Sequence, residues 1–270
     1  MKSGLPSSVY RRLDPVQRYG LRLTLVAVVM VLIAAPFSFL LFQVLAEGPL
    51  TRFDGDIADR LNHWVAGHDN WIAFLNFISW LGKPVTLWVV TGAGVIYTWK
   101  NGAHKLTLFL VATTLGGSIV STGVKLAVDR PRPEVDHPII EAFGKSFPSG
   151  HALSSTVVYG AILLTFLPVL QRRLRHLAVA VVGVLIVCIG SSRLLLGVHF
   201  VSDVLAGYIL GVAWLIAATS VFEIWRIERG RPRVHVLDEG VEPEEVEALI
   251  HDPDDEDKTD EPDSSKTLTA

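Results

Sequence analysis

Long apolar runs constrain the fold of this 270-residue chain more than any other sequence feature. A helix of about 20 apolar residues crosses the roughly 30 Å hydrocarbon core of a bilayer. Five runs contain no charged residue, and the second is interrupted only at Lys83-Pro84. The sequence therefore predicts an all-α, polytopic membrane protein in which six transmembrane helices form a bundle. We place these helices at residues 23–46, 71–99, 106–124, 152–171, 177–192 and 204–222.

Basic residues in the connecting segments predict how the helices are oriented. Lys and Arg cluster before the first helix and after the second, fourth and sixth. Cytoplasmic loops collect these residues, and in a six-helix chain all four segments lie on one side. We therefore expect both termini in the cytoplasm, with the alternate loops outside. The short basic loops suggest a bacterial plasma membrane.

The first apolar run also has an alternative interpretation as a cleaved signal peptide, because it follows Arg22 and contains Val44-Leu45-Ala46 near its end. The apolar region of a signal peptide usually has 7–15 residues. The run here is longer, which favours a retained helix.

An amphipathic segment lies between the first two predicted spans. Apolar residues recur there every four positions, at Phe53, Ile57, Leu61 and Val65, with charged residues between them. This pattern predicts a short helix. The sequence leaves open whether the helix lies on the outer membrane surface or packs on the bundle as a connector.

Composition divides the chain into a cytoplasmic segment (residues 1–22), a six-span domain (23–222) and a cytoplasmic tail (223–270). From Leu237 onward, fourteen acidic residues and two lysines give a charge of −12, against +9 for the rest. A segment of this kind buries too little apolar surface to order itself. We expect disorder from about residue 234, apart from one helical turn around 244–250, and a tail that is dispensable for chemistry. The single cysteine, Cys188, excludes a disulfide framework.

Three polar clusters lie at the external ends of the predicted helices. They occupy residues 125–133 after the third helix, 148–151 before the fourth, and 192–203 between the fifth and sixth. Charged residues at the edge of a span are costly and usually mark a functional site. We predict that the three clusters meet in one site at the outer membrane face.

The residue types in these clusters indicate that the site binds phosphate. Lys125, Arg132 and Arg193 supply positive charge, and a guanidinium group binds phosphate oxygens in a fork. Ser149 and Gly150 precede a helix whose first N–H groups are unsatisfied and favour an anion. Since no acidic cluster of the metal-binding type accompanies them, no metal or other cofactor is predicted.

Two histidines and an aspartate provide candidate catalytic groups. His199 and Asp203 are four residues apart and would share one face of a helix. The carboxylate would then fix the imidazole tautomer and leave the other nitrogen free to attack. His151, at the start of the fourth span, is positioned to act as a general acid. Arg130 and Lys145 are interpreted as anchors at the membrane surface.

The three clusters resemble the signature of the type 2 phosphatidic acid phosphatase (PAP2) superfamily: K-x6-R-P, P-S-G-H and S-R-x5-H-x3-D. The sequence matches all three motifs in order, and the resemblance spans residues 46–222. It implies a helical membrane enzyme that hydrolyses phosphate esters without metal, through a phosphohistidine. It implies that His199 is the nucleophile, Asp203 its orienter and His151 the proton donor. The residues implied to hold the phosphoryl oxygens are Lys125, Arg132, Ser149, Gly150 and Arg193.

The sequence thus predicts a lipid phosphatase that acts on phosphatidic acid, phosphatidylglycerol phosphate or undecaprenyl diphosphate. Alternatives are phosphotransfer to an alcohol by the same residues and a vanadate-dependent haloperoxidase, which the six spans disfavour. A non-catalytic transporter or scaffold is a further alternative, but a transporter would place polar groups near the bilayer midplane. No nucleic-acid partner is predicted, and the sequence does not indicate an oligomeric state.

Overall fold

The computed structural model describes residues 20–135, 139–140, 142–232 and 234–250. Within these ranges the regular secondary structure is helical, without a strand, and includes one turn of 3-10 helix at Leu167–Val169. The α-helices, in chain order, are α1 Gly20–Leu45, α2 Pro49–Val65, α3 Asp69–Leu81, α4 Pro84–Lys100, α5 His104–Val128, α6 Gly150–Phe166, α7 Arg172–Leu195, α8 Val201–Glu228, α9 Val236–Glu239 and α10 Pro243–Ile250.

Four of the described helices are long and apolar enough to cross a membrane: α5, α6 with its 3-10 extension, α7 and α8. Two further pairs of consecutive helices are long and apolar enough only when each pair is taken as one span. The pair Ile33–Leu45 and Pro49–Val65 is bent by 84°, and the pair Asp69–Leu81 and Pro84–Lys100 by 45°. The predicted helical membrane protein is confirmed. The count of six spans, which requires each bent pair to be one span, stays a prediction.

The break between α3 and α4 follows from local sequence. Helix α3 ends at Leu81, and Pro84 opens α4, where its missing N–H group is no loss. Gly82 lies at the break against α6 and α7, because a Cβ there would come within 2.9 Å of the His151 ring and 2.4 Å of Ile189. The predicted second span is therefore two helices whose junction packs beside a predicted site residue.

Helix α6 is the centre of the bundle and packs against α4, α5, α7 and α8. Its contact with α8 is close because small residues face it. A Cβ at Gly207 would lie 2.8 Å from the Ser149 carbonyl oxygen, and one at Gly211 would lie 2.8 Å from Cβ of Thr156. The Ser149 amide donates to the Asp203 carbonyl at 2.9 Å. The glycine seam thus brings the starts of α6 and α8 together.

Helix α2 packs on the bundle against α7 and α8. The face that it buries consists of Asp54, Ala58, Asn62 and Val65. The predicted apolar stripe overlaps this face only at Val65, and its Phe53 is 57% exposed. The helix therefore packs on the bundle with one face, as the connector alternative predicts, while another face presents apolar side chains outward.

The described residues 234–250 pack on the bundle, which corrects the expectation of disorder from about residue 234. Val241, Val246 and Leu249 are buried in a cluster with residues of α5, α6 and α8. Glu242 is 1% exposed and accepts a hydrogen bond from buried Arg226. Acidic residues expected to keep the tail in water instead pair with basic residues at helix ends. The predicted helical turn corresponds to α10, and residues 251–270 lie outside the described part of the chain.

Candidate functional site

The three predicted clusters meet around one cavity of about 420 Å³. The last turn of α5, the loop after it, the start of α6, the end of α7 and the loop before α8 all contribute. Six of the eight predicted site residues line the cavity: Lys125, Arg132, Gly150, His151, Arg193 and His199. The other two, Ser149 and Asp203, are fully buried beside it.

His199 and Asp203 form a buried pair. The Nδ1 atom of His199 lies 3.3 Å from Oδ2 of Asp203, and the imidazole is only 2% exposed. Contrary to expectation, the two residues do not share a helix, because His199 lies in the loop before α8. They meet because Asp203 caps the start of α8 by accepting the Phe200 amide hydrogen at 3.0 Å. One carboxylate therefore orients the helix start and the imidazole together.

The environment of His199 favours its neutral form. Burial lowers the pKa of His199 to about 4, although the hydrogen bond and the charge of Asp203 oppose this shift. The charges of Arg132 and Arg193 lower the pKa further. If Asp203 accepts the Nδ1 proton, the Nε2 atom carries the free lone pair. This atom lies 3.3 Å from Nη1 of Arg132 and borders the cavity.

Three buried polar atoms at the site have no hydrogen-bond partner among the described residues. They are Oγ of Ser149, Nε2 of His151 and Nε of Arg193. Buried polar groups in proteins are almost always hydrogen-bonded, and an unmet donor costs about 1–3 kcal/mol. Such atoms grouped at one cavity are typical of a site that binds a polar ligand.

The two arginines of the cavity are held by other contacts. Arg132 donates to the carbonyl oxygens of Val198, Gly144 and Phe143 at 2.8, 3.1 and 3.1 Å. Arg193 donates to Oγ of Ser79 at 2.6 Å, which ties α7 to α3. Burial lowers the pKa of Arg132, and the charge of Asp203 partly offsets this effect. An anion bound between these guanidinium groups would offset the repulsion between their charges and compensate for the cost of burying them.

Gly150 lets the Lys125 ammonium group approach the first turn of α6. A Cβ on Gly150 would lie 3.2 Å from Nζ of Lys125. The first N–H groups of a helix have no intrahelical acceptor, and together with a nearby cation they attract a phosphate. The cavity thus has a helix start on one wall and cations around it.

Arg130 was interpreted from the sequence as a surface anchor, and the structure corrects this. Its side chain is buried and donates to Oδ1 of Asp203 at 2.6 Å and Oγ of Ser202 at 2.7 Å. It also donates to Oδ2 of Asp54 at 3.0 Å. Its position five residues after Lys125, within the predicted cluster 125–133, was a sequence signal for a role at the site. No sequence feature indicated such a role for Asp54. Lys145 is exposed and pairs with Asp129, and its interpretation as a membrane anchor stays a prediction.

Beyond the cations, the cavity continues between α5 and α6 past hydroxyl-bearing side chains. These are Thr114, Ser118, Ser121, Thr122 and Ser154. Helix α4 closes the opposite side with Pro84, Leu87 and Trp88. From Lys125 to Thr114 the helix rises by about 16 Å. The cavity therefore extends from its cationic end along walls of mixed polarity that α4, α5 and α6 provide.

Comparisons with known proteins agree with this arrangement. Residues 105–227 match the family model of the PAP2 superfamily. The chain is 35% identical over 127 residues to phosphatidylglycerophosphatase B of Bacillus subtilis (strain 168). This alignment covers 46% of the chain and 60% of that protein.

A solved structure is also similar, that of the first transmembrane PAP2 type phosphatidylglycerolphosphate phosphatase from Bacillus subtilis. The TM-score is 0.60 at 26% identity, and the match covers 71% of this chain and 96% of the other. All eight predicted site residues lie within the region matched by the family model, whereas Asp54 lies before it.

Proposed function

We propose that this chain, in which residues 105–227 form a PAP2 superfamily domain, is an integral-membrane phosphatase that hydrolyses phosphate esters of lipids. The observation that carries the proposal is the cavity itself. A buried His199–Asp203 pair borders it, together with Lys125, Arg132 and Arg193. An imidazole with a free nitrogen and several cations is a donor set suited to phosphoryl transfer.

In the first step, Nε2 of His199 attacks the phosphorus atom. A nitrogen–phosphorus bond forms while the bond between phosphorus and the lipid oxygen breaks. His151 gives a proton to the departing oxygen, so that the lipid leaves as an alcohol. The imidazole of His199 becomes positively charged, and the Asp203 carboxylate beside Nδ1 stabilises that charge.

In the second step, water attacks the phosphorus atom of the phosphohistidine. The now neutral His151 takes a proton from this water, the nitrogen–phosphorus bond breaks, and inorganic phosphate leaves. Histidines 199 and 151 return to their starting states, so the cycle balances without a further reactant. An alcohol in place of water would make the same residues a phosphotransferase, and analysis of the products separates the two reactions.

The cations act on the charge that spreads over the phosphoryl oxygens. Lys125, Arg132 and Arg193 border the cavity, and the start of α6 adds the Ser149 hydroxyl and the Gly150 N–H group. Because these groups are held before substrate arrives, they need little rearrangement in the transition state. Loss of one such donor typically lowers kcat by about 10²–10³-fold.

We propose a lipid phosphomonoester as the substrate and an external location for the site. A phosphate at headgroup depth reaches the cationic end while the lipid chains remain among α4, α5 and α6. Phosphatidylglycerol phosphate is the first candidate, because both Bacillus subtilis relatives are named for it. Phosphatidic acid and undecaprenyl diphosphate are the comparison substrates. The positive-inside pattern supports a bacterial plasma membrane with cytoplasmic termini.

The test is phosphate release by the purified protein from these three lipids, with and without EDTA. We expect release that persists in EDTA and is lost in His199→Ala. His176→Ala, which changes an exposed histidine at the far end of α7, is the matched control and should behave as wild type. Release that disappears with EDTA, or that survives in His199→Ala, would contradict the mechanism.

A further inference from the structure

Arg130 connects two buried carboxylates that come from distant parts of the chain. Its Nη1 atom donates to Oδ1 of Asp203 and its Nη2 atom to Oδ2 of Asp54. The guanidinium also lies over the ring of Phe200, with 4.1 Å from its central carbon to the ring centroid. Arg130 is 8% exposed, and both carboxylates are completely buried. The three groups form one desolvated network rather than a surface ion pair.

The two oxygens of Asp203 have separate partners. Oδ1 receives Arg130, while Oδ2 accepts the Phe200 amide and faces Nδ1 of His199. A rotation of this carboxylate would break contacts on both sides. Arg130 therefore fixes the plane in which Asp203 presents its second oxygen to the imidazole.

Asp54 completes the network from helix α2. It accepts hydrogen bonds from the amide and the hydroxyl of Ser202 as well as from Arg130. Helix α2 approaches the same loop a second time, because a Cβ on Gly197 would lie 3.0 Å from Nδ2 of Asn62. Helix α2 thus approaches the loop on both sides of His199, at Gly197 and at Ser202.

We propose that Asp54 and Arg130 are positioning residues that hold the Asp203 carboxylate against His199, which makes helix α2 part of the catalytic assembly. This inference rests on the proposed phosphatase function. It extends the functional unit beyond the region matched by the family model, since that region begins at residue 105.

Charge balance gives the two residues different tasks. Arg130 alone would neutralise Asp203 and weaken its stabilisation of the positive imidazole that forms when His199 attacks. Asp54 offsets the charge of Arg130, so the three groups together carry one negative charge. Arg130 therefore supplies geometry, and Asp54 preserves the negative charge that the reaction uses.

The kinetic test compares Arg130→Gln, Arg130→Lys and Asp54→Asn with two controls on the exposed face of α2, Arg60→Gln and Asp59→Asn. We expect Arg130→Gln to lower kcat by about 100-fold, the loss that a misplacement of about 1 Å produces. KM and the inhibition constant of inorganic phosphate should stay unchanged, because the phosphate cradle is intact. Arg130→Lys should keep more turnover than Arg130→Gln, and both controls should match wild type.

A double variant shows whether Arg130 acts through Asp203. If it does, adding Arg130→Gln to Asp203→Asn lowers kcat no further, because residues in one network are not additive. Full additivity, a wild-type kcat in Arg130→Gln, or an equal loss of kcat and phosphate inhibition would overturn the inference. A wild-type protein without phosphatase activity would instead reject the proposed function.

A spectroscopic measurement keeps the inference testable independently of turnover. In protein labelled with nitrogen-15 histidine, the wild-type His199 should carry its proton on Nδ1. We expect Asp54→Asn and Arg130→Gln to reduce this tautomer preference, with Asp59→Asn unchanged. An identical His199 spectrum in all variants would show that the pair only supports the fold.

Discussion

Nδ1 of His199 and Oδ2 of Asp203 are 3.3 Å apart at the start of α8, and neither side chain is more than 2% exposed. The same carboxylate oxygen caps the helix through the Phe200 amide. The orientation of the imidazole is therefore linked to the formation of the first turn of α8. A hydrogen bond from the Ser149 amide to the Asp203 carbonyl also holds this first turn of α8 against the start of α6.

Replacing the carboxylate by an amide tests this relationship. Asp203→Asn keeps the shape but removes the charge that fixes the Nδ1–H tautomer and stabilises the imidazolium. We expect kcat to fall by about 10³–10⁴-fold, with a KM close to that of wild type. Steady-state kinetics on the preferred lipid measures this. Asp129→Asn, at an exposed position, is the control. A raised KM at normal kcat would assign Asp203 to binding instead.

The pH dependence of kcat/KM should reflect the burial of His199. Protonation removes the lone pair that attacks phosphorus, so activity falls as the pH drops through the pKa of this group. Because burial lowers that pKa to about 4, we expect the acid limb well below the ordinary value of about 6.5. The ionisation of the lipid phosphate, titrated separately, is the reference. An acid limb at or above pH 6.5 that the substrate does not explain would contradict this.

Gly150 tests the cradle without altering an ionisable group. In Gly150→Ala the new Cβ would lie 3.2 Å from Nζ of Lys125, so the ammonium has to shift by a few tenths of an ångström. Weakening one charged hydrogen bond should raise KM and the phosphate inhibition constant at least about tenfold. Gly123→Ala is the matched control, since its Cβ would meet nothing within 4 Å. Equal behaviour of the two variants would remove Lys125 from the cradle.

Sequence spacing predicted much of the candidate site because its residues lie in short local patterns. All eight predicted residues lie at or directly beside one cavity, although their chemical roles stay predictions. Arg130 and Asp54 were not predicted to interact. They are 76 residues apart, and neither is distinguishable locally from a solvated charge. Only the packing of α2 on α7 and α8 brings them together.

The tail shows a different limit of sequence reasoning. Acidic composition predicts disorder when charges have no partners. Here Glu245 accepts hydrogen bonds from the amides of Lys105 and Leu106 at 2.7 and 3.0 Å, which caps α5. Arg226 of α8 pairs with Glu242 and Glu244. These partners lie at the ends of other helices, between 16 and 140 residues away in sequence, so composition alone cannot reveal them.

The orientation of the site is testable with a single engineered thiol. Phe143→Cys, at a position 87% exposed near the cavity, is placed in a Cys188→Ser background. A membrane-impermeant maleimide should label it in intact cells. Arg172→Cys, at the opposite end of the bundle, should react only after permeabilisation. The reverse pattern would overturn the positive-inside assignment.

Two truncations test the structural role of the tail. Ending the chain after residue 233 removes both carboxylate partners of Arg226, Glu242 and Glu244, together with Val241, Val246 and Leu249 of the buried cluster. Burying a valine or leucine side chain contributes about 1.5–3 kcal/mol, so we expect the loss of this packing to lower the thermal unfolding midpoint clearly. Turnover per folded molecule should be retained, because the tail packs at the opposite ends of α5 and α8 from the cavity.

The matched truncation ends the chain after Ile250 and keeps every one of these contacts. We expect it to unfold at the wild-type temperature. The Arg226 guanidinium holds the pKa of Glu244 down to about 2, so their pairing should persist to acid pH and be lost only as the pH falls toward that value. Equal unfolding temperatures for the two truncations would show that the docked segment contributes nothing to stability. A loss of turnover per folded molecule in the shorter chain would show instead that the tail communicates with the site.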